Sequence, residues 1–337
     1  MSSTTTSPLS HSTLVPREKV HRDALSEVYL TDIICDRFPH FRVGIHLPKS
    51  HSYYSDHIGL AEDHYDPLLL LETFRQTSIL ITHTHLNVDL NQAFIFNYGE
   101  LHVSSHEATQ IRVSPGNGEI SATITDEKKR GDETIGITLD MTCILHGRTA
   151  ATMKMIIQWM PKNVWTRIRN KGRERIDLPV YSPNAYPDPS RSSHALPGAH
   201  IPEVLGRRID RNIVLGGYCD REEKFQVDIL VDQHHPSLFD HPLDHIPGAV
   251  LFEALRQAGI LFAHEKYALS ARRLLLQSLA IEFLRFGELD LHTKAIVREK
   301  ESTAVGFTVS IDLVQEDETI ARGEANFTKQ PILGSEE

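Results

Sequence analysis

Two stretches of this chain, residues 67–84 and 248–266, are apolar for a turn or more on every side. A helix that is hydrophobic all round is a buried helix, so the pattern predicts one long, mostly buried helix in each half. After each stretch the pattern changes to alternation or to β-branched runs. The first half gives FIFNYGELHV, GEISATIT, TIGITLDMTCIL and TAATMKMIIQW; the second gives SLAIEFLRF, TKAIVRE, AVGFTVSIDLV and TIARGEANF. Such runs read as strands of an antiparallel sheet with one face on the core. The prediction is an α+β arrangement made twice: a long central helix wrapped by a curved antiparallel sheet.

The duplication is visible residue by residue. FRVGIHLPKSHSYYSDH (41–57) aligns without a gap on FQVDILVDQHHPSLFDH (225–241), matching His51 with His235, Asp56 with Asp240 and His57 with His241. LLLLETFRQTSILITH (68–83) aligns on AVLFEALRQAGILFAH (249–264), matching Glu72 with Glu253, Arg75 with Arg256 and Gln76 with Gln257. Upstream, VHR (20–22) parallels IDR (209–211), which matches Arg22 with Arg211. Two such halves are expected to pack as an intrachain pseudo-dimer. Between them, LPVYSPNAYPDPSRSSHALPGAHIP holds six of the 17 prolines, too many for a helix interior or a central strand. The expected division is a polar disordered tail over 1–16, a first domain over 17–165, a Pro-rich linker over 166–205 and a second domain over 206–332.

Charge narrows the field of partners. The formal net charge of −10 argues against nucleic acid, which is bound through a basic footprint. No apolar run approaches the ~20 residues that cross a bilayer, and the N-terminus has no apolar signal core. Cys35, Cys143 and Cys219 are too scattered for a disulfide framework, so a reducing cytoplasm is the simplest setting. The histidines at 234, 235, 241 and 245 lack a metal-ligand spacing on a regular element; no metal and no cofactor is expected.

The segment FDHPLDHIPGAVLFEALRQAG (239–259) resembles the active-site region of hot-dog-fold hydroxyacyl-thioester dehydratases. His241 stands in the loop, Pro247 and Gly248 lead into the helix, and Glu253 takes the acidic position. Two departures stand out: the loop before Gly248 is short, and Arg256 replaces a small residue. Together with VHRDALSEVYLTD near the N-terminus and YDPLLLLETFRQ in the first half, the segment resembles the A-factor biosynthesis (AfsA-like) family over about residues 17–330. That resemblance implies a tandem, or double, hot-dog fold. It also implies an acyltransferase that joins a β-ketoacyl group from an acyl carrier protein thioester to dihydroxyacetone phosphate. The ester then cyclises to a butenolide phosphate, a precursor of γ-butyrolactone or furan-type signalling molecules.

The residues suit that chemistry. Acyl transfer to an alcohol needs a base at the hydroxyl, donors for the thioester oxyanion and a cation for the phosphate. Glu253 and Arg256 share a helix face, as do Glu72 and Arg75, and a guanidinium fork matches a phosphate. Glu253 is the expected general base, with Glu72 its counterpart. Arg256 and Arg75, with Gln257, Gln76, Gly248, Arg22 and Arg211, are the expected substrate contacts, and His57 or His241 polarises the thioester. By analogy with dehydratase dimers the sites are expected to be crossed, His57 with Glu253 and His241 with Glu72. Plainer readings stand beside these: buried structural ion pairs for Glu-x-x-Arg, a loop-holding hydrogen bond for His241, and salt bridges for Arg22 and Arg211. The basic run RIRNKGRER (167–175) is read as a solvated face or as a dock for an acidic carrier protein. A dehydratase or thioesterase acting on acyl thioesters, and a non-catalytic acyl-binding module, are the competing functions. A monomeric pseudo-dimer and a homodimer are both open.

Overall fold

A computed structural model describes residues 8–182, 201–221 and 224–329. The chain divides into two compact units. One comprises the described residues up to Lys49 together with Leu69–Tyr181; the other comprises Ser50–Leu68 and the described residues from Ser182 onward. The loop before the first long helix thus belongs to the second unit, a placement that decides the composition of the site below.

The first unit is built from β1 (Leu30–Arg37), β2 (His40–Leu47), α1 (Pro67–His85), β3 (Gln92–Val103), a single turn α2 (His106–Thr109), β4 (Gly116–Arg130), β5 (Glu133–Leu145), β6 (Arg148–Pro161) and α3 (Lys162–Glu174). Its six strands form an antiparallel sheet in the order β1-β2-β4-β5-β6-β3. The alternation read from the sequence is the alternation observed. In β5 the side chains of Ile137, Leu139, Met141, Cys143 and Leu145 are buried. In α1, Leu70, Phe74 and Ile81 are fully buried, each contributing about 2 kcal/mol of apolar burial.

The second unit repeats the plan: β7 (Leu215–Arg221), β8 (Lys224–Ile229), α4 (Gly248–Tyr267), β9 (Leu274–Phe283), β10 (Thr293–Ser302), β11 (Gly306–Gln315) and β12 (Glu318–Lys329). The sheet order, β7-β8-β10-β11-β12-β9, is that of the first unit strand for strand. Helix α4 packs on all six strands, and every residue from Val250 to Ala263 is buried. Close approach needs glycine here: a Cβ on Gly323 of β12 would lie 2.3 Å from Leu255 Cδ1, and one on Gly259 of α4 would lie 2.6 Å from the Phe327 ring.

Two features differ from the sequence expectations. The stretch expected as a polar tail is partly laid along β1: Val15 N–H donates to the Leu30 carbonyl at 3.0 Å and Ser10 N–H to Asp32 at 2.9 Å. The first unit also carries a third helix, α3, which covers most of the basic run; Arg169 and Arg173 face inward while Arg167, Lys171 and, just past the helix, Arg175 are exposed. Its low mean hydropathy hid it, because its buried face consists of arginine stems rather than apolar side chains. Much of the Pro-rich segment lies outside the described residues. Among the described residues no helix is long and apolar enough to cross a membrane.

Candidate active site

Each long helix presents a glutamate, an arginine one turn on and a glutamine beyond it on a single face. In the first unit Glu72 is buried, 4% exposed. Arg75 grips it with both ends of its fork, Nε to Oε2 and Nη2 to Oε1, each at 2.8 Å. Gln76 donates Nε2 to Oε1 at 2.6 Å. From outside the helix Arg22 donates Nε to Oε1 at 2.9 Å, with Nη2 2.7 Å from Oε2. Burial pushes the Glu72 carboxyl up, but Arg22 and Arg75 outweigh it and hold the pKa at about 2.

The second unit builds the same object with additions. Glu253 is fully buried. Its Oε1 accepts Arg207 Nη2 at 2.7 Å, Arg207 Nε at 3.2 Å and Gln257 Nε2; its Oε2 accepts Tyr53 Oη–H at 2.7 Å and Arg256 Nη2. With five donors around two oxygens, the carboxylate has no lone-pair direction left for a substrate proton. Burial pushes the Glu253 carboxyl up, yet Arg207 and Arg256 together hold it below its ordinary value. A carboxylate so stabilised is a weak base, which argues against the general-base role expected from the sequence. Burial and the Glu253 charge drive the Tyr53 hydroxyl well above its usual range, so it stays protonated and donates.

The glutamines are staples. Gln76 Nε2 donates to the Glu27 carbonyl at 2.7 Å and Oε1 accepts Tyr29 N–H at 3.1 Å. Gln257 does the same to Asn212 at 2.7 Å and Val214 at 3.0 Å. Their amides fasten the segment entering the first strand of each unit to the helix. This identity also settles the upstream repeat. Arg22 follows the 3-10 turn Arg17–Val20 and a left-handed His21 (φ 52°); Arg207 follows the 3-10 turn Pro202–Leu205 and a left-handed Gly206 (φ 76°). The counterpart of Arg22 is therefore Arg207 rather than Arg211. Arg211 lies half-exposed, 3.5 Å from Asp232, and its Nη2 donates to the His234 carbonyl.

The additions come from the 50–68 loop. Arg207 Nη1 donates to the carbonyls of Tyr53 at 2.8 Å and Asp56 at 3.2 Å, and its guanidinium lies 4.7 Å from the centre of the Tyr53 ring. Asp66 precedes Pro67, and its Oδ1 accepts Leu68 N–H at 2.8 Å, an N-cap with proline in the first helical position. The same Oδ1 accepts Arg256 Nη1 at 2.6 Å, while Oδ2 lies 2.8 Å from His57 Nε2. Burial opposes ionisation of Asp66, but Arg256 and His57 outweigh it and the carboxyl sits far below its ordinary value. Burial also lowers the His57 pKa more than Asp66 raises it, so the ring is neutral. A neutral imidazole against an ionised carboxylate carries its hydrogen on Nε2. Nδ1 then holds a lone pair, and among the described residues no hydrogen bond reaches it.

Of the residues singled out from sequence, the second unit brings together His57, Glu253, Arg256 and Gln257, and the first brings together Arg22, Glu72, Arg75 and Gln76. His241 stays apart, half-exposed with Nδ1 3.3 Å from Asp240. Gly248 opens α4, where a Cβ would lie 3.3 Å from the Phe283 ring. Sequence reasoning missed Tyr53, Asp66 and Arg207. For Asp66 the signal was present, since Asp-Pro before an apolar helix reads as a cap; nothing local marked the other two. Among the described residues no three His, Cys, Asp or Glu side chains are grouped to hold a metal ion.

A buried helix wrapped by a six-stranded antiparallel sheet, made twice in one chain, defines a double hot-dog protein. A protein named as an oleoyl thioesterase from Lactobacillus plantarum shares this fold, with a TM-score of 0.51 over 87% of this chain and 97% of that one at 12% identity. The A-factor biosynthesis hotdog domain matches residues 3–161 and 193–330, and the chain belongs to that family. It is 31% identical to a 2-oxo-3-(phosphooxy)propyl 3-oxoalkanoate synthase of Streptomyces virginiae over 82% of this chain and 84% of the relative. It is 27% identical to a synthase of the same name from Streptomyces coelicolor over 73% and 72%.

Proposed function

We propose that this chain is an acyltransferase that moves a 3-oxoacyl group from a carrier-bound thioester to the hydroxyl of dihydroxyacetone phosphate. The product is the 2-oxo-3-(phosphooxy)propyl 3-oxoalkanoate ester, which cyclises to a butenolide phosphate. The observation that carries the reading is the likeness to the Streptomyces virginiae synthase, which extends over 82% of the chain and so through both units. The site supports it: a buried cluster with a neutral histidine, a protonated tyrosine and paired arginines has the groups acyl transfer uses. Arg256 commits Nη1 to Asp66 and Nη2 to Glu253, and no described residue engages its Nε–H. That hydrogen is the donor we assign to the acceptor's phosphate. The donor thioester arrives on an acidic carrier protein, for which the exposed Arg167 and Lys171, one turn apart on α3, and Arg175 just past its end form a complementary stripe.

The test is mass spectrometry of the products formed from a β-ketoacyl carrier thioester with dihydroxyacetone phosphate. The expected product is the phosphorylated ester or its cyclised form, with far less ester when unphosphorylated dihydroxyacetone is the acceptor. Release of the free β-keto acid at the same rate with and without acceptor overturns the reading in favour of a thioesterase.

A further inference from the structure

The carboxylate matched by the repeat, Glu253, is surrounded by donors, so the proton of the acceptor hydroxyl needs another home. Asp66 and His57 supply one. The two residues are buried, 2% and 7% exposed. Asp66 is fixed from three directions at once: the Leu68 N–H, the Arg256 guanidinium and the His57 ring. The groups that face His57 are Asp66, Arg207 and Arg256; burial, helped by the two cations, keeps the ring from being doubly protonated against the pull of Asp66, which selects its tautomer. The aspartate before the helix is not repeated. Where the first half has Asp66 six residues before Glu72, the second has Pro247 six residues before Glu253. Capping alone does not account for the pair, because an N-cap uses one carboxylate oxygen and here the other is aimed at an imidazole.

We propose that His57 is the general base of the acyl transfer and that Asp66 is its positioning residue, with Glu253 holding Arg256 and Tyr53 in place rather than moving a proton. This assignment rests on the reading in the preceding section. His57 Nδ1 takes the hydrogen of the acceptor hydroxyl as the oxygen attacks the thioester carbonyl carbon. When the tetrahedral intermediate collapses, the C–S bond breaks, the sulfur leaves with the bonding pair, and Nδ1–H returns the proton to it. An ester and a free thiol result, and the imidazole is again neutral.

Two measurements test it. In protein labelled with 15N-histidine, His57 is expected to show the Nε2–H tautomer, and Asp66→Asn to shift the hydrogen to Nδ1; asparagine keeps the cap on α1 but offers an N–H to the ring. In the acyl-transfer assay Asp66→Asn and His57→Gln are each expected to lower kcat about 10²–10⁴-fold with little change in the acceptor KM, and the double variant to be no worse than the poorer single one. The acid limb of the kcat profile, set by protonation of His57, is expected to move to lower pH in Asp66→Asn. A wild-type Nδ1–H tautomer, or His57→Gln activity within about threefold of wild type, overturns the proposal. If the wild-type protein transfers nothing to dihydroxyacetone phosphate, the assigned reaction falls, and the dyad stands or falls on the ring tautomer alone.

Discussion

The two glutamate clusters began as one design and now differ in what surrounds them. Around Glu72, two arginines face one carboxylate, and Arg75 keeps 24% of its side chain in solvent. Around Glu253, two arginines face two carboxylates, and both Arg207 and Arg256 are at 5% exposure or less. The shared parts, glutamate, glutamine and the arginine after the 3-10 turn, do the same mechanical work in both units: they bind the incoming strand segment to the helix. The parts that differ, Tyr53, His57 and Asp66, are those with proton chemistry. The repeated motif is a structural staple, and the groups with proton chemistry reach the Glu253 cluster on the 50–68 loop.

The largest effect expected is on stability. Glu253→Ala leaves Arg207 and Arg256 buried without the carboxylate they share, and is expected to cost about 3–5 kcal/mol. Glu72→Ala is expected to fall at the low end of that range, about 3 kcal/mol, since Arg75 can turn into solvent. Denaturant unfolding of the two variants checks this, and equal losses would erase the distinction between the clusters.

Acid unfolding isolates the contribution of the Glu72 charge. A carboxyl lowered from 4.5 to about 2 stabilises the fold above its unfolded value, and that contribution is lost as pH falls through the folded one. Glu72 is thus expected to contribute on the order of 3 kcal/mol, fading between pH 4.5 and about 2. Unfolding free energy of the wild type and Glu72→Gln, followed over that range, should converge at its acid end.

Smaller effects probe the additions and the repeat. Tyr53→Phe removes one hydrogen bond to a buried carboxylate and is expected to cost about 2 kcal/mol, with no equivalent in the first unit. Arg211→Ala is expected to change stability by less than ~0.5 kcal/mol and transfer activity not at all, as for an exposed ion pair. Arg207→Ala should behave as Arg22→Ala does and destabilise; if Arg211 proves the more damaging of the two, the structural correspondence fails.

How far the sequence reached follows from which interactions are local. Residues 67–84 and 248–266 were legible as helices because burial on every side leaves a continuous apolar run, and the helices observed are Pro67–His85 and Gly248–Tyr267. The strands after them were legible through period-two alternation, and the family through motifs in order along the chain. Glu72 with Arg75 and Glu253 with Arg256 were legible as pairs because one helical turn brings them together. The upstream arginine was not, since irregular 3-10 turns carry no periodicity and a three-residue match slipped by four positions. His57 and Asp66 were nine residues apart in an unpatterned loop, and their meeting with Glu253 depends on that loop folding into the second unit. Helices, strands and repeats are determined by short-range pattern, which a linear chain displays. The dyad, the saturation of Glu253 and the identity of Arg207 arise from contacts between segments up to some two hundred residues apart, and only the tertiary structure decides those.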